Sequence, residues 1–135
     1  MTVTAFSTVR GVALSALTAS AALTLPSTAH ERAEVFAKCS GRLSALATNQ
    51  RALKNPDVST TERAHQNFEM MLSATLPDAI ERGVPTSKPI LWHASGWSEI
   101  AYLLADIQYS NDEIRAQRAK DAIEQRIDDC SALIL

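Results

Sequence analysis

The residues best suited to chemistry are few: Cys39 and Cys130, three histidines (His30, His65 and His93), and a group of carboxylates that begins at Glu62. Glu62 and His65 form a Glu-x-x-His pair on one helical face, and Glu69 follows one turn later. Di-iron carboxylate bundles need two such pairs plus two glutamates from facing helices, and no second Glu-x-x-His occurs. The plainer reading of Glu62, His65 and Glu69 is a solvated helix face held by i, i+3 and i, i+4 contacts. His30 offers another possibility, because a cut after Ala29 would free an amine that could chelate copper with its own imidazole and with His65 or His93. The plainer reading there is a frayed, solvated terminus. Haem has little behind it: there is no Cys-x-x-Cys-His, and a His/Met pair drawn from His65, His93, Met70 or Met71 would rest on composition alone. Met70 and Met71 read as core filler. Ser95-Gly96-Trp97-Ser98 lacks the strand and glycine spacing of a nucleophile elbow, and four glycines in the chain make no phosphate-cradling loop. The sequence therefore predicts no cofactor, no metal and no catalytic residue.

The cysteines depend on the compartment, which the first 29 residues address. Met1 to Arg10 has no acidic residue and ends in a base, Gly11 to Leu25 is uncharged and rich in Ala, Leu, Val, Ser and Thr, and Ser27-Thr28-Ala29 puts small residues at a cut site. This is the pattern of a secretory signal, so residues 1–29 are expected to be removed and residues 30–135 to form one domain in the periplasm or outside the cell. The apolar run of the signal is about 15 residues, short of the roughly 20 that span a bilayer, so no transmembrane anchor is expected after cleavage. The whole chain has 13 basic and 15 acidic residues, which leaves no positive surplus for nucleic acid or anionic lipid. In an oxidising compartment, two distant cysteines on apolar stripes read as a structural disulfide. Thiol exchange would call for a Cys-x-x-Cys pair or a base beside the thiol.

Apolar residues recur at spacings of three and four, so the mature chain reads as all-helical with four elements. The first, about Glu31 to Lys54, carries Phe36, Cys39, Leu43, Leu46, Gln50 and Leu53 on one stripe and stops before Asn55-Pro56. The second opens on a capping box, Ser59-Thr60-Thr61-Glu62, buries Ala64, Phe68, Met71, Leu72, Thr75, Ala79 and Ile80, and ends at Gly83. Pro77 predicts a kink or break within it. The third starts after Ser87 with the stripe Trp97, Ile100, Leu104 and Ile107, and Gly96 within it implies close packing or a later start. The fourth opens on Ser110-Asn111-Asp112-Glu113 and buries Ala116, Ala119, Ile123, Ile127, Cys130 and Ile134.

Short connections favour antiparallel neighbours, which predicts an up-down four-helix bundle. In that arrangement Cys39 lies about 12 Å into the first helix and Cys130 about 6 Å from the end of the last, at ~1.5 Å per residue. Both then sit near one end of the bundle, within reach of a disulfide joining the first and last helices.

Trp92, Tyr102 and Tyr109 fall off the Trp97 stripe, and Tyr102, Asp106 and Tyr109 share a face at spacings of four and three. Tyr102, Asp106 and Tyr109, with Trp92, are the candidate interaction face, since aromatic side chains next to an acid suit a protein or ligand contact, whereas partial burial against neighbouring helices is the plainer alternative. Glu34-Val35-Phe36-Ala37-Lys38-Cys39-Ser40-Gly41-Arg42-Leu43-Ser44-Ala45 and Asp129-Cys130-Ser131-Ala132-Leu133 resemble a group of small exported bacterial helical proteins. In that group a Cys-x-Gly-Arg-Leu/Tyr-Ser box opens the first helix and a second cysteine closes the last. The resemblance implies the architecture and brings no activity with it. The leading expectation is a non-enzymatic exported protein, monomeric or weakly dimeric, that binds another protein of the cell envelope. The alternatives are a small-molecule, haem or metal carrier using the bundle interior, and an enzyme without a recognisable motif.

Overall fold

The computed structural model describes residues 26–134, and residues 1–25 of the expected signal lie outside them. Four helices follow one another: α1 (Ala29–Ala52), α2 (Val58–Glu81), α3 (Lys88–Tyr109) and α4 (Glu113–Ser131). No strand occurs among the described residues, and no described helix is long and apolar enough to cross a membrane.

Most starts differ by a residue or two from the sequence reading, because the caps are made by other groups. Thr28 caps α1, accepting from the Glu31 amide while the Glu31 carboxylate accepts from the Thr28 amide. Those contacts, led by the Thr28 backbone, hold the Glu31 carboxyl below its ordinary value. Ala29 is consequently the first residue of α1 and is buried, and in the uncut chain His30 is a helical residue whose ring lies 5.4 Å from that of Trp92. α2 starts at Val58 without a side-chain cap, so Ser59 lies inside the helix, the expected Ser59/Glu62 box does not form, and Glu62 pairs instead with Arg51 of α1. α4 is capped by Asp112, which accepts from the amides of Ile114 and Arg115, while Ser110 Oγ accepts from the Asp112 amide. Pro77 does not divide α2, whose helix runs unbroken from Val58 to Glu81. The turn after it has Gly83 at φ +98°, where glycine carries no Cβ penalty.

α1 is the hub. Its most extensive contacts are with α3 and α2, α4 packs mainly on α3, and α2 and α3 have at most a marginal contact with each other. Contacts along α1 and α2 descend one helix as they climb the other: Arg51 meets Glu62, Ser40 meets Glu69, and Ala33 shares a cluster with Ala79. Along α1 and α3 they climb together, with Lys38 against Gly96, Arg42 on Glu99 and Ala45 beside Ile100. This hub position explains why α1 is buried on two faces. One carries the expected Phe36, Cys39 and Leu43; the other is a row of small residues, Ala29, Ala33, Ala37, Gly41 and Ala45, four apart and therefore on one side of the helix.

The core divides into three clusters. Ala29, Ala33, Ala37, Ala79, Val84 and Trp92 join the start of α1 to the α2–α3 turn. Phe36, Cys39, Leu43, Phe68 and Cys130 join α1, α2 and α4, and Ala45, Ile100 and Ile123 join α1, α3 and α4. The disulfide between Cys39 and Cys130, with Cα atoms 5.7 Å apart, ties the first helix to the last inside the second cluster. Several residues expected inside are exposed: Leu53 beyond the end of α1, Met70 and Ile80 on α2, Ile107 on α3, and Ile134 after α4. Met71, unlike Met70, does pack on the core.

Glu99 on α3 accepts from Arg42 of α1 at 2.8 Å and also pairs with Arg126 of α4, so one carboxylate bridges three helices. Burial alone would raise its pKa, but the hydrogen bonds from Arg126 and Arg42 and their charges together bring it below the ordinary carboxylate value. A depressed folded-state pKa contributes stability above the unfolded value, about 4.3 for Glu, and that contribution is lost as pH falls through the lower folded value. Glu99→Gln is therefore expected to lower the urea midpoint at pH 7. The gap from wild type should narrow between pH 5 and pH 3 and close below the folded pKa.

Candidate functional site

Three places on this scaffold bring functional side chains together. The first is the outer face of α3. Tyr102 and Tyr109 are 76% and 74% exposed, with Asp106 between them. Asp106 is not free: it accepts from Arg115 at 2.7 Å across the α3–α4 turn, which also holds the Arg115 guanidinium above its ordinary pKa. Trp92, expected to join this face, does not. It is 8% exposed and packs in the first core cluster against Ala33, Ala37 and Ala79. Ten residues of α-helix separate it from Tyr102, about 15 Å along the axis. The correction has a physical cause. Gly96, not Trp97, marks the side of α3 that meets α1, which places Trp92 and Ile100 one turn either side of it on the buried face. Trp97 is instead 42% exposed and lines a cleft between α1 and α3 with Leu104, Gln108 and Tyr109. The exposed aromatic set of α3 is thus Trp97, Tyr102 and Tyr109.

The second place is a cleft of about 640 Å³ between α1, α3 and α4, with Leu46, Leu104, Ile107, Ile123 and Ile127 among its lining residues. Gln50 projects into its wall, and Gln50 Oε1 is buried without a hydrogen-bond partner among the described residues. Buried side-chain acceptors are usually paired, so this one calls for an explanation.

The third place gathers two of the metal candidates with a residue from another helix. His65 and Glu69 of α2 meet His93 of α3, and one ligand atom from each lies within 4.8 Å of the others. His65 Nε2 is 3.7 Å from Glu69 Oε1, and the fully buried Ser40 of α1 donates its hydroxyl to that same oxygen. The other candidates go elsewhere: Glu62 pairs with Arg51, and His30 lies over Trp92 with Glu34 at 3.9 Å. Ser40-Gly41 of α1 sets the geometry, since Ser40 holds Glu69 on one side and Gly41 lies under the His93 carbonyl on the other. Sequence spacing finds the His65–Glu69 pair, because both lie on α2 four residues apart. It does not find His93, whose approach depends on how closely α3 crosses α1.

The chain matches no family model, and neither a curated protein nor a solved structure matches it.

Proposed function

We propose that this is a non-enzymatic exported protein that works by binding another protein of the cell envelope through the outer face of α3. The observation that carries this reading is the pair Tyr102 and Tyr109, each about three-quarters exposed on a helix whose opposite face is buried. Tyrosine and tryptophan supply large, rigid contact area and are over-represented among residues that dominate binding energy. Trp97 and Tyr109 border the α1–α3 cleft, so an incoming side chain has a recess to enter beside the exposed rings. Export is supported by the signal-like residues 1–29 and by a disulfide, a cross-link characteristic of oxidising compartments. The absence of a basic surplus favours a protein partner over nucleic acid.

Affinity capture from envelope extract tests this reading. The native protein should retain a partner that Tyr102→Ala/Tyr109→Ala loses by at least tenfold, with the helical circular dichroism of the two proteins unchanged. Equal recovery by both proteins would remove the α3 face from the function.

A second reading, carriage of a small amphipathic molecule, is supported by the α1–α3–α4 cleft and the unpaired Gln50 acceptor within it. Organic extraction of the native protein followed by mass spectrometry separates the two readings, because a carrier releases a bound compound in stoichiometric amount.

A further inference from the structure

We propose that His65, Glu69 and His93 form a binding site for one divalent transition-metal ion of the zinc and copper class, independent of the α3 contact face. Two imidazoles and one carboxylate are the donor set that borderline ions of the late first row take. The three side chains come from two helices whose backbones approach each other little, yet their ligand atoms converge to within 4.8 Å. Metal–nitrogen bonds of about 2.0–2.1 Å in tetrahedral geometry put ligand atoms roughly 3.3 Å apart. Closing from the observed spacing requires side-chain adjustment, for which His65 and Glu69 are exposed enough, at 30% and 47% of their side-chain surface.

Two further features favour an ion over a plain i, i+4 contact. Ser40 is fully buried and its hydroxyl is spent on Glu69 Oε1, which orients the carboxylate and leaves its other oxygen for a ligand bond. Hydrogen bonding of a ligating carboxylate from behind is the usual arrangement around metal sites. On the other side, the His93 backbone is seated against Gly41, so the imidazole is presented from a fixed position on α3. Three protein ligands at a partly exposed position leave a coordination place open to water, as in sites that exchange their ion or bind a further group. Because the α2 and α3 backbones approach each other little and meet mainly where Trp92 packs near Ala79, an ion on this tripod would add a second direct link between them. Binding to the folded state alone raises thermal stability by mass action.

The test uses the exported protein with its disulfide formed, stripped with chelator and titrated with Zn²⁺ and with Co²⁺ as a spectroscopic probe. One equivalent of Co²⁺ should give the visible absorption of a four- or five-coordinate nitrogen/oxygen site, and Zn²⁺ should displace it and raise the melting temperature. His93→Gln and Glu69→Gln should each weaken Zn²⁺ at least tenfold, and His30→Ala and Glu62→Gln should leave it unchanged. Glu69 is exposed, so its substitution reports on binding even if His93→Gln disturbs packing against α1. Absence of stoichiometric uptake at micromolar ion would overturn the site. So would uptake that survives both Glu69→Gln and His65→Gln, or that disappears in His30→Ala.

Discussion

Gly41→Ala and Gly96→Ala are each expected to destabilise the protein by about 3 kcal/mol, although alanine is the better helix former by about 1 kcal/mol. Both glycines lie at the crossing of α1 and α3. A Cβ on Gly41 would collide with the backbone carbonyl of His93, and a Cβ on Gly96 with that of Lys38. Neither obstacle is the end of a flexible side chain that could swing aside. Relief would need the two helices to separate, which would open the contacts of Ala37, Ala45 and Ile100 in the clusters on either side. Packed interiors forfeit dispersion energy quickly when surfaces part by even a fraction of an ångström. Urea denaturation of the two variants is the check, and a gain in stability in either, the sign that helix propensity alone predicts, would show that the crossing is not close. Gly83→Ala provides a contrast. No atom lies within reach of a Cβ there, and the only penalty is the left-handed backbone, which costs about 1 kcal/mol.

Loss of the disulfide should have the larger effect. Cys39 and Cys130 close a loop with a sequence separation of 91, for which the chain-entropy model gives about 4 to 5 kcal/mol. The bond also lies where the second core cluster needs it, because α4 has only a limited direct contact with α1 and meets the clusters it shares with that helix through the disulfide, Ile123 and Ile127. Cys39→Ser/Cys130→Ser puts two hydroxyls among Phe36, Leu43 and Phe68, so an alanine pair gives the cleaner measure of the cross-link. Reduction of the native protein, or the alanine pair, should lower stability by about 4 kcal/mol, with α4 the first helix to lose amide protection in hydrogen exchange. Uniform loss of protection across α1, α2 and α4 would contradict the role assigned to the bond.

The four helices and the staple were legible in the sequence, and for a clear reason. Large apolar residues at three- and four-residue steps on α1 and α4, and Asn55-Pro56, Gly83 and Ser110 between elements, all report on local structure. The cysteines occupied the Phe36–Leu43 and Ile123–Ile127 stripes, so a bond between the outer helices was the consistent pairing. The hub role of α1 was less accessible. Its second buried face consists of Ala29, Ala33, Ala37, Gly41 and Ala45, which carry little hydrophobic signal, although their strict four-residue step is what a close helix contact requires. Gly96 implies close packing from sequence, but the stripe drawn through Trp97 does not include it, whereas the buried face of α3 runs through Trp92, Gly96 and Ile100. That difference exchanged Trp92, which is buried, for Trp97, which is partly exposed.

The functional residues divide in the same way. Tyr102 and Tyr109 could be grouped from spacing because they share one helix. His93 could be joined to His65 and Glu69 only through Ser40-Gly41 on a third helix. Chain-local patterns carry the first kind of site, and tertiary crossing angles carry the second. The capping residues show the same limit on a smaller scale: spacing places a box at Ser59 and Glu62, but the helix begins one residue earlier, at Val58, and Glu62 pairs with Arg51 of α1.

Site-specific photocrosslinking in the intact cell envelope tests the partner-binding reading most directly. A photoreactive phenylalanine analogue replaces Tyr102 in one variant, Tyr109 in a second, and Arg63 on the exposed side of α2 in a third. The reading predicts a single discrete adduct from positions 102 and 109 and none from position 63. An adduct from position 63 with positions 102 and 109 silent, or the same adduct from all three, would contradict it.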